Sequence, residues 1–178
     1  MVKEQTFFQF LERLWQLCVF QSSPLELKVS PTAISVVSPT YFLMVAVTML
    51  LAPGLHPSFA VGAGLLFGTF ALITLFLWIL HFYKGAHEHF MGSMLATTGT
   101  QCIILFINIP ALLFYNQIPF GNYAAQMVLG LMVILLGWSL AITGRILHLS
   151  LKISLALGAA IALSFVFIVR AGGALVLQ

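Results

Sequence analysis

The chain has 178 residues, of which 61% are hydrophobic and 6% charged, and its mean hydropathy is +1.10. Soluble domains carry about a quarter charged residues, so this composition excludes an ordinary soluble domain and indicates an integral membrane protein with room for about four or five spans of roughly 20 residues. The acidic residues are Glu4, Glu12, Glu26 and Glu88, with no aspartate, which leaves little for paired-carboxylate or Mg²⁺ chemistry; the formal charge of +3 forms no basic patch for nucleic acid.

Residues 3–20 read as an amphipathic helix. Phe7, Leu11, Leu14, Trp15 and Cys18 recur at three- and four-residue spacing, with Gln9, Glu12, Arg13 and Gln16 on the other side. Such a helix is expected to lie in the membrane interface, apolar side down; the alternative is a soluble cap packed on the bundle. Charges and glutamines interrupt its apolar runs and no small-residue cleavage site follows, so it is expected to remain in the mature protein. Pro24 and Pro31 then make SSPLELKVSP a connector. Residues 1–30 therefore form an interfacial helix with its connector, and residues 31–178 the transmembrane domain.

Five apolar stretches follow, near Ala33–Ala52, Phe59–Phe82, Met91–Tyr115, Tyr123–Thr143 and Leu151–Val169. The expected fold is all-α and polytopic, with five transmembrane helices in a compact bundle behind the N-terminal helix. Basic residues set the orientation. With a cytoplasmic N-terminus, that side receives Lys3, Arg13, Lys28, Lys84, Arg145 and Lys152, and the other side receives Arg170. Gly64 and Gly68 in the second span, and Gly92 with Ala96 in the third, have the small-xxx-small spacing that permits close helix approach within the chain or, for Gly64 and Gly68, between two copies.

Two clusters carry possible chemistry. HFYKGAHEHF, residues 81–90, concentrates His81, His87 and His89, and His148 on the neighbouring loop offers another ligand. The helical zinc-protease motif needs histidines four apart around a glutamate, whereas His87, Glu88 and His89 are consecutive. Histidine, lysine and tyrosine are also common at membrane interfaces. The third span carries ATTGTQCIILFINIP, in which Thr97, Gln101 and Asn108 share one helical face. Unpartnered buried amides are costly, so this face should look into the bundle or a wet cavity, as interhelical glue or as a substrate path. Pro110 is expected to kink that helix. Cys18 and Cys102 have no metal-type spacing, and no nucleophile elbow, phosphate loop or dinucleotide fingerprint is present.

In order and in local pattern the chain resembles the Yip (Ypt/Rab-interacting protein) family in its bacterial form. FLERLWQLCVFQSSPLEL is similar to the family's opening helix and proline, and YKGAHEHFMGSMLATTGTQCIILFINIPALLF to its loop and small-residue span ending near a proline. LLGWSLAITGRILHLSLKISLALGAAIAL resembles its fourth span, short basic loop and fifth span. The loop departs from the family in having the single glycine Gly85, flanked by Lys84, and HEH in place of a small or basic run. The resemblance implies a five-span protein with a cytoplasmic N-terminus; eukaryotic members are linked to vesicle traffic and membrane shaping.

The leading expectation is a non-enzymatic protein of a bacterial cytoplasmic membrane, without a cofactor. It would act as scaffold or accessory subunit, or on lipid organisation, with lipids and a membrane protein or a second copy as partners. The alternative is a small transporter or metal-binding protein using Thr97, Gln101 and Asn108 as a polar path and His81, His87, His89 and His148 as gate or ion site. A membrane-embedded lipid enzyme is the third reading.

Overall fold

The computed structural model describes residues 7–27, 29–51, 59–118 and 122–176, the side chains of Phe7, Phe59, Ala60 and residues 169–176 excepted. Lys3, Lys28 and the side chain of Arg170, used above for orientation, lie outside the described residues, as do most of the α2–α3 connection and part of the α4–α5 connection. The fold is all-α: α1 (Phe7–Cys18), α2 (Pro31–Leu51), α3 (Phe59–Tyr83), α4 (Phe90–Asn116), α5 (Tyr123–Leu151) and α6 (Leu155–Val176), with short 3₁₀ turns at Pro24–Glu26 and His87–His89.

Four of these helices, α2 to α5, contain apolar segments long enough to cross a bilayer by length and composition, whereas the described apolar part of α6, Leu155–Ile168, is shorter. Membrane integration thus rests on four such helices where five were expected. The fourth boundary also moves: the helix expected to end near Thr143 continues to Leu151, so Arg145 and His148 sit in its last two turns and not in a loop. A basic side chain need not end a helix if its head finds a partner, and the Arg145 guanidinium carbon lies 5.5 Å from the centre of the Phe20 ring. The chain turns instead at Lys152, which adopts the left-handed conformation with φ 53°.

Local signals explain most ends. Pro31 occupies the first turn of α2, where its missing N–H is no loss, and Ser30 Oγ accepts from the Ala33 amide at 3.1 Å. Gly85, at φ +65°, stops α3, with the Ala86 amide donating to the His81 carbonyl at 2.9 Å. Asn122 caps α5 through the Ala124 amide at 3.3 Å. Pro110 lies inside α4, which runs without interruption to Asn116.

Helix α4 is the hub, packed against α1, α2, α3 and α5, while α6 packs on α5 and α3. The Asn116 side chain donates to the Leu51 carbonyl at 2.7 Å, so α2 and α4 end together at one face of the bundle. At the opposite face the α3–α4 and α5–α6 turns meet in a shared cluster containing Leu77, Ala86, Phe90, Leu151 and Ile153. Every described charged side chain (Glu12, Arg13, Glu26, Lys84, Glu88, Arg145 and Lys152) belongs to this second end or to the N-terminal segment docked on it.

The N-terminal helix is packed on the bundle. Its buried stripe is Phe10, Leu14, Leu17 and Cys18, not the expected Phe7, Leu11, Leu14, Trp15 and Cys18; Phe7's side chain lies outside the described residues, and Leu11 and Trp15 point outward. The stripe is set by α4: a Cβ added at Gly99 would come within 2.7 Å of the Leu14 side chain, so Gly99 forms the hollow that Leu14 fills. Trp138 Nε1 donates to the Cys18 carbonyl at 2.9 Å, and Arg13 pairs with Glu26 at 2.6 Å.

Candidate functional site

Helices α2 to α6 border a half-open cavity of about 700 Å³. Tyr41, Ile73, Phe76, Leu136 and Phe165 contribute to its apolar wall, and Thr97, Gln101, Asn108, Ser139 and Thr143 supply a polar stripe. Among the described residues no charged side chain lines it. The polar face read from the third span therefore does look inward, and from Thr97 to Asn108 it climbs ~16 Å along α4 at 1.5 Å per residue.

The stripe's members differ in their bonding. Gln101 Nε2 donates to Ser139 Oγ at 2.7 Å and reaches Thr143 Oγ1 at 3.5 Å, while Thr143 Oγ1 donates to the Ser139 carbonyl at 2.9 Å. Gln101 thus ties α4 to α5. Thr98 and Thr100 return their hydroxyls to their own helix, at the Met94 and Ala96 carbonyls, both 2.8 Å away. By contrast Thr97 Oγ1 and Asn108 Oδ1 are buried with no hydrogen-bond partner. A third such atom, Ser150 Oγ, does not belong to the cavity wall.

The four histidines do not converge. His81 is fully buried, its Nδ1 bonded to the Leu77 carbonyl at 2.7 Å and its Nε2 to Ser93 Oγ at 3.1 Å, and Ser93 Oγ donates to the His89 carbonyl at 2.8 Å. With Nδ1 donating to Leu77, Nε2 only accepts, and the single Ser93 hydroxyl proton serves either Nε2 or the His89 carbonyl at one time; the contact holds α3 against α4. Neither residue lines the cavity, and Ser93 is 1% exposed. His87 stands edge-on to Phe82, His89 lies 3.4 Å from the exposed Glu88, and His148 Nδ1 bonds the Ile153 carbonyl. Among the described residues no three His, Cys or acidic side chains are placed to share a metal ion.

The small residues sort differently from their spacing. Gly64 and Gly68 are exposed, and a Cβ at either would meet nothing within 4 Å, so the packing expected there within the chain is absent among the described residues. A Cβ added at Gly92 would stand 3.5 Å from the Pro24 carbonyl oxygen, which faces the connector rather than a span, and Ala96 is fully buried. The closest approach is between α5 and α6: a Cβ on Gly158 would sit 2.4 Å from the Gly144 oxygen, and one on Gly144 2.9 Å from Ala159 Cα. This pair was missed in the sequence, although both glycines lie seven residues from Leu151, the symmetry expected of a hairpin turning there. Lys84 is exposed beside the left-handed Gly85, and Lys152 is exposed at the hairpin turn.

Comparison of the chain with protein-family models, with curated proteins and with solved structures finds no match.

Proposed function

We propose that this chain is a non-enzymatic integral membrane protein of Yip type, seated in a bacterial cytoplasmic membrane. It acts as a scaffold or accessory subunit and through its effect on lipid organisation. In this reading α2 to α6 all cross the bilayer, the charged end is cytoplasmic by the positive-inside rule, and the C-terminus lies outside. Its partners are membrane lipids and a membrane protein or second copy.

The observation that carries the reading is the second apolar edge of α1. One edge is held to α4 through Leu14 and Gly99, while Phe8, Leu11 and Trp15 stay 81%, 40% and 49% exposed. Phe20, Leu25 and Val29 extend this outward surface along the connector. Large apolar groups beside a charged bundle end suit the headgroup–acyl boundary. A wedge held rigidly on a bundle displaces lipid in one leaflet only.

The test uses vesicles of phosphatidylethanolamine and phosphatidylglycerol. Trp15 emission, taken as the difference between the intact protein and Trp15→Phe, should be quenched by lipids brominated high on the acyl chain. Quenching by aqueous iodide alone overturns the interfacial placement. Turnover of a substrate by the purified protein overturns the non-enzymatic reading.

A second reading, a small transporter, is favoured by the cavity and its unpartnered Thr97 and Asn108. It requires that Gln101→Leu or Asn108→Leu abolish flux in a protein that stays folded.

A further inference from the structure

We infer that the cavity between α2 and α6 is a binding site for one uncharged amphiphile, with a single hydrocarbon chain and a hydroxyl-bearing head. The inference stands apart from the scaffold and transporter readings, because occupancy is measured on purified protein without partner or flux.

The volume comes first. About 700 Å³ falls within the ~300–1,000 Å³ of small-molecule sites, and this drug-sized space suits one hydrocarbon chain better than two. Its lining follows α4 from Thr97 to Leu112, with apolar groups such as Phe76 and Phe165 forming most of the wall. A hydrocarbon chain lies against that surface as it would against lipid.

Charge comes next. Among the described residues no Lys, Arg, Asp or Glu lines the cavity, so a charged head would meet no counter-charge from them. The occupant is therefore neutral.

The head is specified by the unsatisfied atoms. Asn108 Oδ1 can only accept, so it calls for a donor; Thr97 Oγ1 can do both. Thr97 is 6% exposed, and its hydroxyl is unpaired although Thr98 and Thr100 on the same helix bond their own backbone. Thr97 and Asn108 both line the cavity, and each carries a buried polar atom without a partner that a side-chain rotation would offer to a head with hydroxyl donors. Gln101 already donates through Nε2 to Ser139.

The test measures binding of radiolabelled 1-monooleoylglycerol to the full chain in detergent micelles. Methyl oleate, which has no donor, and anionic lysophosphatidylglycerol serve as comparators. The expected result is saturable binding of one monooleoylglycerol per chain. Methyl oleate should bind about tenfold more weakly, as loss of one hydrogen bond implies, and lysophosphatidylglycerol should not compete. Asn108→Leu should weaken binding by a similar factor, and Phe106→Leu, on the outward face of α4, should not. Asn108→Leu could misfold, so Leu136→Phe, which adds bulk to the apolar wall, gives an independent loss of binding, with thermal unfolding as the check on folding. Uptake that never saturates, equal binding of methyl oleate, or unchanged affinity in both Asn108→Leu and Leu136→Phe overturns the inference. So does the absence of binding by all three lipids, which would leave water as the occupant.

Discussion

Replacing Gly158 with alanine adds one methyl group where two backbones meet. That Cβ would stand 2.4 Å from the Gly144 carbonyl oxygen, and the atom it meets is backbone rather than the end of a flexible side chain. The helices must separate by close to an ångström, which places the cost near the top of the ~1–3 kcal/mol range for overpacking. Alanine's better helix propensity returns at most about 1 kcal/mol. The net expectation is a loss of about 1–2 kcal/mol, a factor of roughly 5–30 in the folded-to-unfolded ratio. The control is Gly68→Ala, where nothing lies within 4 Å and no loss is expected. Reversible unfolding in mixed micelles of dodecyl sulfate and a mild detergent reads both. A Gly158→Ala protein as stable as Gly68→Ala would refute the close α5–α6 approach.

Trp138→Phe leaves the Cys18 carbonyl without its donor and should cost about 1–3 kcal/mol in docking of α1, read as faster alkylation of Cys18 by a membrane-impermeant maleimide. In the intact protein the Cys18 thiol, fully buried, is pushed up from 9.0 to about 11 by burial. Since the folded value is the higher one, this residue's contribution to docking is complete below pH 9 and is lost as pH rises towards 11, so alkylation should accelerate across that window. A Cys18 that reacts at neutral pH as fast as a free thiol would contradict the docked arm. Gln101→Leu and Ser139→Ala, combined in a double-mutant cycle, should show a coupling of about 0.6–2 kcal/mol for their bond between α4 and α5, and a coupling of zero would remove Gln101 from the packing.

Hydropathy alone located α2, α3 and the start of α5 to within a few residues, because long apolar runs between turn residues have few other solutions in a membrane. The inward polar face of α4 was equally legible from Thr97, Gln101 and Asn108. The void behind it was not, since its volume depends on how five helices pack. Arg145 misled the boundary of α5, because its partner, the Phe20 ring, is remote in sequence and no local signal reveals it. The packed edge of α1 was hidden for a related reason. A 12-residue helix with apolar groups on two sides offers two candidate faces, and Gly99 on α4 decides between them. Gly64 and Gly68 had the right spacing without a neighbour, whereas Gly144 and Gly158 become a pair only once the hairpin turn is placed at Lys152.

The docking of α1 also sets an order of events during synthesis. The arm is made first, but Gly99 and Trp138, which receive Leu14 and the Cys18 carbonyl, are made much later. Trp138 comes 120 positions after Cys18, or roughly 6–24 s of translation at about 5–20 residues per second. Until α4 has been made Leu14 has no receptor, and until α5 follows the Cys18 carbonyl has no donor. The nascent arm must wait with its apolar groups sheltered in the lipid interface or by a chaperone, and it closes onto the bundle only after α5 has arrived.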